Sequence, residues 1–197
     1  MISSNSHVPV LVALATKCPL GPIRRVLELG AGVYSRDAFM INPLLEKYDI
    51  LENGEPWYHQ AILDAMTASP LTRSCATVYY RQMPMVDYVQ QFDLEHYDLV
   101  FVDDSVTVAD RMATIDYVTR TAKRPVVVVH DVEVGAYQQS IHRQGRQMVI
   151  FDHAEPCTAV LWSGQPAATM QSIRDQIGAL FAANEAATAE QWKELLA

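Results

Sequence analysis

Several apolar segments of the sequence end in glycines or in side chains that could bind a ligand or move a proton. These segment ends are Gly30–Ser35, Glu52–Asn53, Arg81–Met83, Asp103–Ser105 and His130–Asp131. The carboxyl ends of parallel strands lie at one edge of a sheet, where the ligands of α/β proteins bind. If the segments are parallel strands, we expect these residues to form a single site.

The segment Arg25–Ser35, RVLELGAGVYS, combines a short apolar run with a glycine turn. Gly30 and Gly32 can adopt backbone angles that other residues resist, and they leave space for a ligand. A buried strand followed by such a turn and a helix is typical of nucleotide-binding α/β proteins. A single Gly-x-Gly is also found in ordinary strand-to-helix turns, so both interpretations stay open.

Two glutamates flank this turn in the sequence. Glu52 lies about 20 residues after Gly32, the spacing at which an acid binds a ribose diol; alternatively, it is an exposed acid at the N-terminus of the next helix. Glu28 lies within the apolar strand, where a buried carboxylate needs a partner. One candidate partner is the ammonium group of a ligand, reached through a water or backbone amides. The alternative is a group of the protein: Arg24, Arg25 or a loop amide.

An acidic cluster with one histidine follows two later strand candidates: Asp103, Asp104, His130 and Asp131. Carboxylates that face one space can bind a cation such as Mg²⁺. His130 could instead be a general base, since the pKa of histidine lies near neutral pH. A purely structural interpretation is also open, in which Asp131 caps a helix, Asp103 orders a loop and His130 is partly buried.

Three further side chains could reach the same site. His7 lies on an N-terminal segment that would either cover the site as a lid or leave the histidine in solvent. Arg111 would either hold a substrate anion or pair with Asp104 or Asp131. Trp57 would cover an adenine ring or belong to the core.

The elements that position these residues alternate between strands and helices. Apolar and β-branched runs predict strands at Val26–Leu29, Tyr48–Glu52, Ala76–Tyr80, Tyr97–Asp103, Pro125–His130, Gln147–Phe151 and Thr158–Trp162. Helical spacing predicts a short helix between Pro9 and Pro19, helices at Ser35–Lys47 with Ser35 as N-cap, Pro56–Thr67 and Val108–Ala122, and a helical tail at Ala167–Ala197. This alternation predicts a parallel sheet, ending in an antiparallel pair at one edge.

Composition narrows the class of protein. The 197 residues are enough for one core and predict a single domain. The net charge of −8 disfavours a nucleic-acid partner. We expect no membrane span, because no apolar run approaches about 18 residues, and no signal peptide at the N-terminus. Three cysteines without metal-binding spacing, Cys18, Cys75 and Cys157, predict a reducing cytoplasm.

Four motifs together resemble the class I S-adenosylmethionine-dependent methyltransferases. In order, they are VLELGAGVYS, DILE, YDLVFVDDS and VVVVHDVE. The likeness extends from about Val26 to Trp162. It is closest to the small O-methyltransferase-like members, whose fourth strand ends in FVD and whose fifth ends in HD.

The resemblance implies a fold and a reaction. The fold would be α/β, a Rossmann-like doubly wound mixed sheet with strand order 3-2-1-4-5-7-6, strand 7 antiparallel and helices on both faces. Residues 1–197 would form one domain, with residues 1–20 as an N-terminal helical or lid segment and residues 167–197 as a C-terminal helical tail. The cofactor would be S-adenosylmethionine, and the methyl acceptor an oxygen or nitrogen of a small molecule.

The resemblance also assigns roles by position. The cofactor-binding residues would be Glu28, Gly30, Gly32 and Ser35 at the methionine moiety, Glu52 and Asn53 at the ribose, Met83 at the adenine, and Asp103 near the methionine moiety or a metal. The catalytic residues would be His130, Asp131 and Asp104. His7 and Arg111 would bind the substrate.

The sequence departs from the family in two places, and other functions stay open. Tyr34 replaces the third glycine of the usual motif, and His130–Asp131 replaces the Asp-Asn of cation-dependent members, so Mg²⁺ is not favoured. Motifs of DNA methyltransferases are absent.

Two other functions stay open for this sequence: an NAD-dependent oxidoreductase, and a non-catalytic protein that binds a nucleoside or a partner. The helical tail either covers the sheet or forms a homodimer.

Overall fold

A seven-stranded sheet organises the computed structural model, which describes residues 6–67, 75–104, 107–164 and 167–197. Its order is β3-β2-β1-β4-β5-β7-β6. Neighbouring pairs among the first five strands are parallel, and β7 runs antiparallel to both β5 and β6. The strands are β1 Arg25–Leu29, β2 Lys47–Glu52, β3 Ala76–Tyr80, β4 Leu99–Val102, β5 Val126–His130, β6 Gln147–Phe151 and β7 Thr158–Trp162. The predicted order and the antiparallel strand are therefore confirmed.

Helices cover both faces of this sheet. They are α1 Val8–Lys17, α2 Val33–Met40, α3 Glu55–Thr67, α4 Met85–Val89, α5 Val108–Thr121, α6 Gly135–Ser140, α7 Ala167–Asn184 and α8 Ala189–Leu195. Because side chains alternate across a strand, β5 contributes Val126 and Val128 to one hydrophobic core and Val127 and Val129 to the other. This explains its uninterrupted valine run. Within the described residues, no helix has the length and apolarity to cross a membrane.

The N-terminal helix and the C-terminal helices share one face of the sheet. Val10, Leu11 and Val12 of α1 are fully buried in the same core as Phe181 of α7 and Trp192 of α8. The predicted helical tail is interrupted before α8, which begins with a capping box formed by the residues Thr188 and Gln191. The C-terminal helices thus cover the sheet.

The helix after the glycine turn differs from the prediction at both ends. It begins at Val33 with Gly32 as N-cap and ends at Met40, although the sequence predicted Ser35–Lys47. Pro43 explains the early end, because the residue before a proline avoids helical angles; the Asn42 side chain instead accepts a hydrogen bond from the amide of Leu44 at 2.9 Å. Ser35 is not the N-cap: it is buried inside the helix and its hydroxyl bonds the carboxylate of Glu28.

The glycine turn passes very close to the end of β4. Gly30 has φ +88°, and a Cβ atom there would lie 2.4 Å from the carbonyl oxygen of Asp103 and 2.8 Å from the Cα atom of Asp104. The amide of Gly30 donates to Leu51 O at 2.9 Å, and the amide of Asp103 donates to Leu29 O at 2.9 Å. Main chain therefore packs on main chain, and only glycine fits at position 30.

We expect Gly30→Ala to destabilise the protein by several kcal/mol, because backbone strain and a clash with main-chain atoms add together. Gly145→Ala is the matched control: Gly145 has φ +81° but open space around its Cα atom. Its left-handed angle alone should cost about 1–2 kcal/mol. Urea denaturation of both variants measures the difference, and equal losses would show that the close approach to Asp103 has no energetic weight.

Candidate functional site

The carboxyl ends of β1, β2, β4 and β5 bring most of the sequence-predicted residues together in two adjoining groups; Ser105 lies outside the described residues. The first group, which we call the turn group, surrounds the glycine turn and consists of Glu28, Gly30, Gly32, Ser35 and Glu52. The second, the β4–β5 cluster, consists of His7, Asp103, Arg111, His130 and Asp131. Asp103 connects them, because its carbonyl contacts Gly30 and its carboxylate belongs to the cluster.

Glu28 is fully buried and bonds the main chain of the glycine turn. Its carboxylate accepts hydrogen bonds from the amide of Gly32 at 3.2 Å and from the hydroxyls of Ser35 and Tyr48. Among the predicted alternatives, the loop amide is therefore its partner, whereas Arg25 pairs with Asp98. Burial raises the pKa of Glu28 to about 8 against the effect of these bonds, so the group is largely protonated at neutral pH.

Glu52 ties the end of β2 to the same turn. Its Oε2 atom accepts the amide of Ala31 at 2.7 Å, and its Oε1 atom accepts the amides of Asn53 at 2.8 Å and Gly54 at 2.6 Å. A carboxylate has about four lone-pair positions, so these three bonds leave roughly one for a ligand. The side chain is not the exposed acid of the alternative interpretation, since only 4% of Glu52 is accessible.

The loop after β3 closes one side of the turn group. The side-chain amide of Asn53 donates to the carbonyl of Met83 at 3.2 Å, and the amide of Arg81 donates to the carbonyl of Glu52 at 3.2 Å. Trp57 is 55% exposed and therefore does not belong to the core. Asn53 and Met83 therefore lie together beside Glu52, at the edge of the turn group.

Arg111 is the centre of the β4–β5 cluster. Its guanidinium donates to Asp103 at 2.8 Å, to the carboxylate of Asp131, and through Nε to the main-chain carbonyl of Asp104. It also lies 5.4 Å from the centre of the Tyr137 ring, within cation–π range. Of the predicted alternatives, the structure shows the ion pair with Asp131; the pair with Asp103 was not anticipated.

The two histidines of the cluster are packed against each other. The rings of His7 and His130 lie edge to face with their centres 4.5 Å apart, and each residue is 5% exposed. Burial lowers the pKa of His7 to about 3 and that of His130 to about 4, so both are neutral at physiological pH. His130 Nδ1 is 3.1 Å from the hydroxyl of Thr158 and Nε2 is 3.6 Å from Asp131.

The segment that carries His7 is fixed over this edge of the sheet. The Ser6 hydroxyl donates to the carbonyl of Pro156 at 2.5 Å, and His153 Nε2 lies 2.8 Å from the Ser6 carbonyl. In the described part of the chain, His7 Nδ1 is buried without a hydrogen-bond partner. His7 is therefore not solvent-exposed: it packs on His130, and one of its ring nitrogens is buried and unsatisfied.

Asp104 is separated from the other acids of the cluster. Its side chain is fully buried and accepts the hydroxyl of Thr114 of α5 at 2.9 Å, and burial raises its pKa to about 7. Only its main-chain carbonyl contacts Arg111. Among the predicted catalytic residues, His130 and Asp131 lie side by side, whereas the Asp104 carboxyl faces the helix.

The residues present do not fit a magnesium site. Asp103 and Asp131 would be the obvious ligands, but both carboxylates bond the guanidinium of Arg111. Over the described ranges, no group of three or more histidine, cysteine, aspartate or glutamate side chains has a metal-binding arrangement. A divalent cation would have to displace the arginine.

Sequence reasoning missed three residues that shape the site: Tyr48, Tyr137 and Thr158. Tyr48 could have been found, because Tyr48 pairs in register with Val26 of β1, which lies on the same face as Glu28 two residues later. Thr158 faces His130 through the antiparallel register of β5 and β7, and Tyr137 reaches Arg111 from α6. Neither of these contacts has a local sequence signal.

We expect the stability of the protein to fall as pH rises because of Glu28. Its pKa of about 8 in the folded protein lies above the usual value of 4.5, so the folded state binds the proton more tightly than the unfolded state. The stability that this proton contributes is complete below pH 4.5 and is lost as pH rises towards 8. Glu28→Gln cannot lose a proton. Between pH 5 and pH 9, its free energy of unfolding should therefore rise by at least about 1.4 kcal/mol relative to that of the wild type, which is the value of one pKa unit. Urea unfolding across this range tests it, with the exposed Glu46→Gln as control; parallel curves for Glu28→Gln and the wild type would contradict the assignment.

Similarity to solved structures agrees with this topology. No protein-family model matches the chain, and no curated protein matches its sequence. A putative caffeoyl-CoA O-methyltransferase from Staphylococcus aureus is 13% identical, with 83% of this chain and 86% of that chain covered and a TM-score of 0.63. The O-methyltransferase TomG from Streptomyces achromogenes, solved with SAM, is 18% identical, with 81% of this chain and 79% of that chain covered and a TM-score of 0.55. A spermidine synthase in complex with AdoDATO is 15% identical, with 82% of this chain and 62% of that chain covered and a TM-score of 0.60. The chain therefore has the fold of the S-adenosylmethionine-dependent O-methyltransferases that its sequence motifs predicted.

Proposed function

We propose that this protein is an S-adenosylmethionine-dependent methyltransferase that acts on an oxygen or nitrogen of a small molecule. The observation that carries the proposal is the turn group, in which two buried glutamates hold a glycine turn beside the β4–β5 cluster. Solved structures of the same fold include O-methyltransferases, one of them with SAM bound. A donor site and an acceptor site would thus meet at Asp103.

The turn group would bind the donor. Gly30 and Gly32 keep side chains away from the methionine moiety, and Glu28 with Ser35 fixes the turn. The remaining lone pair of Glu52 would accept one ribose hydroxyl. Asn53 and Met83 would border the adenine, since their hydrogen bond closes that side.

The β4–β5 cluster would orient the acceptor and remove its proton. The donor supplies an activated methyl group on a sulfonium, so the main task of the protein is to align the acceptor atom with it. Neutral His130 would take the acceptor proton, and the neighbouring Asp131 carboxylate would stabilise the imidazolium. His7 would border the acceptor through its unpaired Nδ1 atom. Asp104 would act only through the position of Arg111.

Isothermal titration with S-adenosylhomocysteine tests the donor site. We expect binding to the wild type and roughly tenfold weaker binding to Glu52→Gln, about 1.4 kcal/mol, because a neutral amide accepts the ribose hydroxyl less well. Glu46→Gln, just before the opposite end of β2, is the matched control and should bind as the wild type does.

Each other outcome of this titration points to a different function. Absence of S-adenosylhomocysteine binding would overturn the methyltransferase proposal, and binding of NAD in its place would favour the oxidoreductase. If S-adenosylhomocysteine binds Glu52→Gln and the wild type equally well, the proposed donor stands, but Glu52 does not contact its ribose.

A turnover assay tests the proton acceptor. With a phenol, carboxylic acid or amine that the wild type methylates, His130→Gln should lower kcat about 100-fold or more and leave the affinity for S-adenosylhomocysteine unchanged. His142→Gln is the control, because His142 pairs with Asp116 away from the cluster. Unchanged kcat in His130→Gln would remove the histidine from the mechanism.

A further inference from the structure

Two carboxylates at the ends of adjacent parallel strands share one positive group. Asp103 follows β4 and Asp131 follows β5, and their side chains are 22% and 28% exposed. Paired carboxylates of this kind, open to one space, are the usual oxygen ligands of Mg²⁺ or Mn²⁺. Here the guanidinium of Arg111 bonds both of them.

The arginine is fixed in this position by more than its ion pairs. Its Nε donates to the carbonyl of Asp104, and its guanidinium carbon lies 5.4 Å from the centre of the Tyr137 ring. The side chain is only 7% exposed. A guanidinium stays charged at every pH that the protein would meet, and moving it would leave two partly buried carboxylates without a partner, which is costly. The positive charge is therefore a permanent part of the cluster.

We propose that Arg111 takes the place of a divalent cation in the acceptor site, so that the site excludes metal ions and works without them. The role at the acceptor rests on the proposed methyltransferase function; the exclusion of metal rests only on the geometry of Asp103, Arg111 and Asp131. A bound metal offers open coordination positions to its substrate, whereas the guanidinium already donates to two carboxylates and a carbonyl. The acceptor therefore need not chelate a metal, and a single hydroxyl or amine suffices.

Titration of Mn²⁺ into the full-length protein tests this inference directly. The wild type should show no saturable site below about 1 mM. Arg111→Met removes the charge and keeps a long side chain, and we expect it to bind one Mn²⁺ at least tenfold more tightly than the wild type. Adding Asp103→Asn to this variant should abolish the new site.

Two further variants separate charge from side-chain loss. Arg111→Lys keeps a positive charge and should bind no Mn²⁺. Arg174→Met frees only one carboxylate, Asp152, on the protein surface and should create no site. If Arg111→Met does not fold, Arg111→Gln, which also removes the charge, takes its place in the titration.

A wild-type protein that binds one Mn²⁺, with binding lost in Asp103→Asn, would overturn the inference, because the metal would then displace the arginine. A folded Arg111→Met that binds no Mn²⁺ would also overturn it. Titration of S-adenosylhomocysteine on the same samples reports separately on the proposed function. If S-adenosylhomocysteine does not bind but the Mn²⁺ results are as expected, metal exclusion stands and only the role of Arg111 at a methyl acceptor is removed.

Discussion

The contact between the glycine turn and the end of β4 determines the geometry of everything at this edge of the sheet. With φ +88° at Gly30 and no room for a Cβ atom, the turn lies directly on the carbonyl of Asp103. The carboxylate of the same aspartate pairs with Arg111. One residue thus fixes the distance between the turn that would bind a donor and the cluster that would bind an acceptor.

Around this contact, the buried ionisable groups are stabilised either by losing their charge on burial or by hydrogen bonds and ion pairs within the protein. Glu28 is largely neutralised by its raised pKa, and Glu52 is held by three backbone amides. Arg111 keeps its charge because two carboxylates surround it. The histidines are kept neutral by burial. Since these bonds form within the protein, the groups are held in place without a ligand, which would lower the entropic cost of binding one.

Most strands could be predicted from sequence, because strands are enriched in apolar, aromatic and β-branched residues at the edge as well as in the centre of the sheet. The predicted bounds of β3, β6 and β7 match the structure residue for residue. The prediction was wrong where a local preference competed with a distant partner. Ser35 is a good N-cap by residue type, but its hydroxyl instead bonds the buried carboxyl group of Glu28, which has no access to water and needs partners within the protein.

By itself, the sequence determined the order of strands and helices and which polar residues stand at the strand ends, because both follow from short-range periodicity and from glycine and proline. The tertiary structure alone decided how those residues pair. Arg111 bonds both Asp103 and Asp131, and His7 packs on His130. These partners are far apart in the chain or lie on different elements, and ångström-scale distances between elements are set by how the whole core packs, which no local pattern encodes.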